Sequence, residues 1–334
     1  MATLKIHEPF IGPYPSMAAL FSVLREHEKA KNWFFNNYLQ LVFYIQPEND
    51  FYSGTFLDGL DHYGINPIQR CPYLRTNVIF SDLMTDYRFQ DIVKELIDKG
   101  YYILTHLNRR WLTEDQEGDA FHRAFIFGYD PIGETIDYAE FFSDRKYSQY
   151  RVPYSKIDRC FFNGREKDSD FIRYFSQEVF VLKINDNMEA DIIDRKKILT
   201  GLASYLDSSH DGVLRTTRMP SENFPIYYGL DYYDQLALQI RLKKEGTLLV
   251  NFQVLCDHKK LMVERTRSLH QHGILSKDLS EKAFELYQST QIVRSMVIRH
   301  LMAAGADDLI REMESLREED RTFVKSMIRE LEKA

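Results

Sequence analysis

Cysteine is scarce, with Cys71, Cys160 and Cys256 the three among 334 residues. They are far apart and odd in number, which argues against a disulfide framework or a paired zinc site. A reducing cytoplasm is the expected location. Long apolar runs are missing too. No stretch reaches the roughly 18 residues of a membrane span, and Met1–Pro9 lacks the cationic start and apolar stretch of a signal peptide. Positive charge is not in excess: 43 Lys and Arg stand against 50 Asp and Glu, for a net charge of −7. A nucleic-acid partner is therefore not expected, because such a partner needs a basic face. There is no glycine-rich phosphate loop, no metal-ligand constellation, no internal repeat and no low-complexity tract. No bound metal or resident cofactor is expected. What remains is ordinary globular material, 44% hydrophobic and 28% charged, rich in Tyr and Phe. At about 150 residues per domain the length suits two domains.

The pattern changes along the chain. After a proline-rich start, Met17, Leu20, Phe21 and Leu24 recur at helical spacing, which predicts a helix from about 16 to 31 with Ser16 where an N-cap belongs. A second helix is expected over 33–43, a loop-rich stretch over 54–72, and an amphipathic helix over 88–99 that stops at Gly100. Strands are expected at 101–107, 121–130, 134–141 and 179–184, with a turn through Pro131, Ile132 and Gly133. Beyond 187 the chain reads as helices at 187–207, 230–245, 247–272, 277–304 and 306–332, interrupted by a turn-rich break over 208–228. The expected domains are 1–185 and 186–334. The long terminal helices make a homodimer a candidate.

Three pieces of the first half carry chemistry. A helix begins near Pro15-Ser16-Met17, a strand starts Phe121-His122-Arg123, and the next strand holds Ile136-Asp137-Tyr138-Ala139-Glu140-Phe141. A helix start can activate a nucleophile and offer N–H groups to an oxyanion. A strand histidine can take a proton. A carboxylate one strand further can hold the imidazole in its working tautomer. Glu140 is preferred to Asp137, which lies three residues earlier and so on the opposite face.

The phrase HRAFIFGYDPIGETIDYAEFF, followed by YRVPYSKID, resembles the His strand, the Gly-Tyr-Asp turn and the acid strand of the butirosin biosynthesis protein H N-terminal family. That family is a papain-like branch related to double-glycine-leader peptidases. The resemblance covers about residues 10–165. It implies an α+β papain-like cysteine-peptidase fold, followed here by a mostly helical C-terminal domain. It also implies a role in natural product biosynthesis: acyl transfer or amide bond formation from a carrier-protein thioester, or cleavage of a peptide-like bond. The acyl donor would be the phosphopantetheine arm of an acyl or peptidyl carrier protein, and the acceptor a small-molecule or peptide-like substrate.

One departure stands out. The family's nucleophile is a cysteine at the first helix, and this chain has none before Cys71, which falls in a Gln69-Arg70-Cys71-Pro72 loop. The expected triad is therefore Ser16, His122 and Glu140, with Ser16 as a helix cap the bland alternative. Gln40, beside Asn36 and Asn37, is a candidate amide donor to an oxyanion or ligand. Arg109, Arg110 and Trp111 form a candidate lip for an anionic ligand or phosphopantetheine, and Tyr232 belongs to an aromatic cluster that suits a pocket wall. Cys160 and Cys256 read as small core residues, and Asp130 as a turn residue. The competing reading is a papain-like pseudoenzyme that binds or scaffolds a nonribosomal peptide or polyketide enzyme.

Overall fold

The computed structural model describes residues 2–46, 51–59, 67–112, 121–141, 147–163, 178–209, 225–301 and 306–334. The fold is α+β, with antiparallel sheets and a helical C-terminal region. The chain forms two units, Met1–His27 with Ile68–Glu189, and Glu28–Pro67 with Ala190–Ala334. This differs from the expected division into 1–185 and 186–334. The reason is a sheet whose strands were not foreseen: β2 (Leu41–Gln46) and β3 (Phe51–Phe56) pair with each other, and β2 also pairs with β10 (Ile226–Tyr228). Residues 41–43 had been expected in a helix. They are Leu41, Val42 and Phe43, all buried, and a continuous apolar run of this length suits a buried strand equally well.

The first unit is built on one antiparallel sheet. Its strands are β1 (Ala2–Thr3), β4 (Leu74–Phe80), β5 (Tyr102–Asn108), β6 (Phe121–Asp130), β7 (Thr135–Phe141), β8 (Tyr147–Pro153) and β9 (Glu178–Ile184). Their order is β4-β9-β5-β6-β7-β8, with β1 beside β6. The β6–β7 turn forms as expected, with Asp130 Oδ1 accepting the Ile132 N–H at 3.0 Å. The N–H groups of Gly133 and Ile132 hold the Asp130 carboxyl below its ordinary range.

Alternation along the strands divides the sheet into two faces. On one, Ile103, Leu107, Ala124, Ile126, Tyr138 and Val181 bury against helices α4 (Phe89–Asp98) and α5 (Tyr154–Phe162). Phe89, Val93 and Ile97 recur every four residues and form the buried stripe of α4. Phe89 stacks on Phe161 of α5 with ring centroids 3.7 Å apart. The α4 helix ends where Gly100 takes φ +78°. Helix α1 (Pro15–Leu24) is shorter than expected and packs against β6.

The second unit holds the three-stranded sheet and helices α2 (Lys31–Asn36), α6 (Arg195–Leu206), α7 (Asp231–Arg241), α8 (Leu248–Gln271), α9 (Lys277–His300) and α10 (Ala306–Lys333). A further short helix, α3 (Pro67–Arg70), lies where the chain returns to the first unit. The long helices fall close to the expected spans because their boundaries are chemically marked. Asp194 caps α6 by accepting the Lys197 N–H at 2.9 Å, Gly273 turns the chain at φ +71°, and Ser276 caps α9. Arg265, fully buried in α8, donates to the Phe35 and Asn37 carbonyls at 2.8 Å and so satisfies the end of α2. Burial pushes its guanidinium down to about 9.

Candidate functional site

The β6–β7 pairing sets the site. Ile126 pairs with Tyr138, so Glu140, two residues further along β7, comes beside the start of β6 where His122 stands. The His122 Nδ1 and the Glu140 Oε1 are 3.0 Å apart, with the His122 side chain 33% exposed and Glu140 fully buried. The two atoms are in contact without the alignment of a hydrogen bond. His122 lies on the same face of β6 as the core residues Ala124 and Ile126. The expected meeting of His122 and Glu140 is present.

Arg109, expected in the lip with Arg110 and Trp111, instead turns to Glu140. Its Nε donates to the same Glu140 Oε1 at 2.5 Å, and its Nη2 donates to the Phe141 carbonyl. Glu140 Oε2 is buried without a hydrogen bond among the described residues. The Glu140 charge also reaches its neighbours. Burial, then that charge, raises the Tyr138 hydroxyl. Burial pushes the Cys160 thiol up to about 12, with Glu140 adding to the effect.

Ser16 is elsewhere. It is the second residue of α1, after the N-cap Tyr14 and Pro15. Its Oγ accepts a hydrogen bond from Arg123 Nη1 at 2.7 Å. Arg123 follows His122 in the strand, so the two side chains leave opposite faces of the sheet. The expected Ser16, His122 and Glu140 triad is therefore not assembled: two members share one face and the third is held on the other. The Arg123 row continues with His106, its partner on β5, and with Glu178 at the start of β9. Period-two alternation was the signal that could have revealed this, since Arg123, Phe125 and Phe127 alternate with His122, Ala124 and Ile126.

The remaining candidates divide. Arg110 is exposed and lies over the Trp111 ring at 5.3 Å, with Arg159 of α5 at 4.0 Å from the same ring. Trp111 also packs against the core beneath α4 and α5. Gln40 and Tyr232 are engaged within the protein. Both are buried inside the second unit: Gln40 donates to the Ser209 carbonyl at 2.5 Å, and the Tyr232 hydroxyl to the Asn251 carbonyl at 2.8 Å. Tyr232 OH also fills the space where a Cβ on Gly54 would sit. Asp137 lies opposite to Glu140 as expected and is bonded by Arg151 at 2.8 Å. Cys71 is buried and its thiol is pushed up to about 12 by burial, which disfavours the thiolate that a nucleophile needs.

No family model matches this chain, and no curated protein matches it. Among the described residues, no group of three or more His, Cys, Asp or Glu is arranged to hold a metal ion. Nor is any described helix long and apolar enough to cross a membrane.

Proposed function

We propose that the chain is a papain-like protein of natural product biosynthesis that moves an acyl group from a carrier-protein thioester to an amine. His122 serves as the base, Glu140 orients it, and no covalent intermediate forms on Ser16. The observation that carries this reading is the 3.0 Å contact between a partly exposed imidazole and a fully buried carboxylate. A carboxylate beside the imidazole can hold the ring in the orientation that a base needs.

A thioester does not require an enzyme nucleophile, because an amine attacks it directly. The amine nitrogen adds to the thioester carbonyl, the C–S bond breaks, and the new amide forms. The proton lost by nitrogen passes to His122 and then to the departing thiolate. Positioning and base catalysis are the contributions the protein must make. The donor is the phosphopantetheine arm of an acyl or peptidyl carrier protein. Three free, buried thiols suit a reducing cytoplasm.

The experiment is transfer from an acyl-loaded carrier protein to a panel of amines. His122→Gln should lower the rate by about 10²- to 10⁴-fold, the usual contribution of a positioned base, while Ser16→Ala stays within a few-fold of the parent. An acyl group found on Ser16 by mass spectrometry would sink the non-covalent route. A second reading, a non-catalytic partner of a biosynthetic enzyme, is favoured by Arg109, which already occupies the Glu140 oxygen nearest His122. On that reading the carrier protein binds and no amine is acylated.

A further inference from the structure

Helix α9 buries one face and leaves another uncovered. Leu279, Ala283, Leu286, Thr290, Val293 and Val297 face inward, against α8 and α10. On the outer side Phe284 is 46% exposed, Ile292 62% and Ile298 37%. Phe284 and Ile298 are two heptads apart, on one side of the helix and about 21 Å from each other at 1.5 Å per residue. Gln291 is midway between them.

The charges along α9 are polarised. Its acidic residues, Asp278, Glu281 and Glu285, all lie in the first nine positions, where Lys282 pairs with Asp278 at 2.7 Å and Lys277 with Glu281 at 3.0 Å and Glu285 is in neither pair; beyond Glu285 the helix carries Arg294 and Arg299 and no acid. Glu281, Glu285 and Arg299 fall on the same flank of the exposed stripe at 100° per residue. A copy of this helix laid antiparallel about Gln291 therefore brings Glu285 of each copy near Arg299 of the other. The same operation sets Phe284 of each copy against Ile298 of the other. A groove of about 490 Å³ beside Phe284, lined by Phe284 and Gln288 and by charges of both signs, Arg267 and Lys277 with Glu281 and Glu285, lies where that Ile298 and Arg299 would arrive.

We propose that this face of α9 is the two-fold interface of a homodimer, packed antiparallel on the α9 of a second copy. A two-fold axis requires a surface complementary to itself, and the apolar and charged positions of α9 meet that requirement together. The inference is independent of the acyl-transfer reading. A single 24-residue helix face offers less than the roughly 800 Å² per partner of a standard interface, so the dimer is concentration-dependent.

Sedimentation velocity on the full chain, from low to high micromolar, tests this. The parent should shift from monomer to dimer. Phe284→Glu, and each of the single charge reversals Glu285→Arg and Arg299→Glu, should weaken association at least tenfold. The double reversal should restore it, because both ends again pair opposite charges. All three positions are exposed at their side chains, and an unchanged thermal melt confirms that each variant folds. A parent that stays monomeric throughout overturns the proposal, as does a dimer indifferent to the substitutions. Single reversals that dissociate the dimer without rescue by the double reversal overturn the antiparallel register.

Discussion

Lys259 and Asp320 form an ion pair inside the second unit, with side-chain exposures of 0% and 1%. The ammonium uses all three of its donors, on Asp320, on the Tyr205 hydroxyl at 3.1 Å and on His258 Nδ1 at 3.1 Å. Tyr205 and Tyr233 donate to the same carboxylate oxygen at 2.7 and 3.0 Å. His258 Nε2 meets the Leu39 carbonyl at 2.8 Å, so the proton is on Nε2 and Nδ1 accepts. The pair ties α8 to α10 through residues that sequence patterning assigns to no role.

Breaking that pair on one side should be costly. Asp320→Leu or Lys259→Met alone leaves an uncompensated buried charge and should destabilise by about 3–5 kcal/mol. The double substitution should cost clearly less than the sum of the two. A double-mutant cycle by urea unfolding measures the difference.

Acid should weaken the second unit through His258. Burial, then the Lys259 charge, holds its pKa well below the ordinary 6.5. The folded state thus binds this proton less readily than the unfolded chain. The stability attached to the neutral ring is fully present above the unfolded value and falls away as the pH drops below it. Unfolding free energies at pH 7.5 and pH 5 should differ less in His258→Gln than in the parent. An equal pH slope in the two proteins would count against this account.

All three thiols should be silent in the native protein. Burial pushes Cys71, Cys160 and Cys256 up to about 12, which leaves almost no thiolate at pH 8. Titration with a thiol-reactive chromophore should find none in buffer and three in guanidinium chloride.

Two glycines should respond oppositely to alanine. Gly229 has φ +52°, and a Cβ there would collide with the Tyr205 backbone, whereas nothing lies within 4 Å of the corresponding position on Gly246. Gly229→Ala should lower stability by about 1–3 kcal/mol or more, the range for a strained backbone position. Gly246→Ala should be close to neutral. Thermal melts of the two variants give the comparison.

Much of the architecture was legible because it depends on local periodicity. The five C-terminal helices α6–α10, the α4 stripe of Phe89, Val93 and Ile97, and strands β5, β6, β7 and β9 all follow from spacing and from chemically marked ends. Strands β2, β3, β4 and β8 were missed. In β2 the apolar run Leu41-Val42-Phe43 fits a helix or a buried strand. In β4 and β8, polar residues at the rims of the sheet blur the alternation. The turn-rich break over 208–228 had likewise hidden β10.

The site was legible in part, and the division has a physical cause. Residue types, their order and the turn between β6 and β7 are local matters, and they were enough to bring His122 and Glu140 together. Which face of the sheet α1 covers is a matter of packing between distant segments. One residue along β6 changes the face, and it is Arg123, not His122, that reaches Ser16. The sequence by itself determined the α+β class, the helical C-terminal region and the His122–Glu140 pair. Only the tertiary structure decided that Ser16 stands apart from them, that Arg109 binds Glu140, and that residues 28–67 belong with the helices. Those outcomes depend on contacts between residues far apart in the chain, which no local pattern encodes.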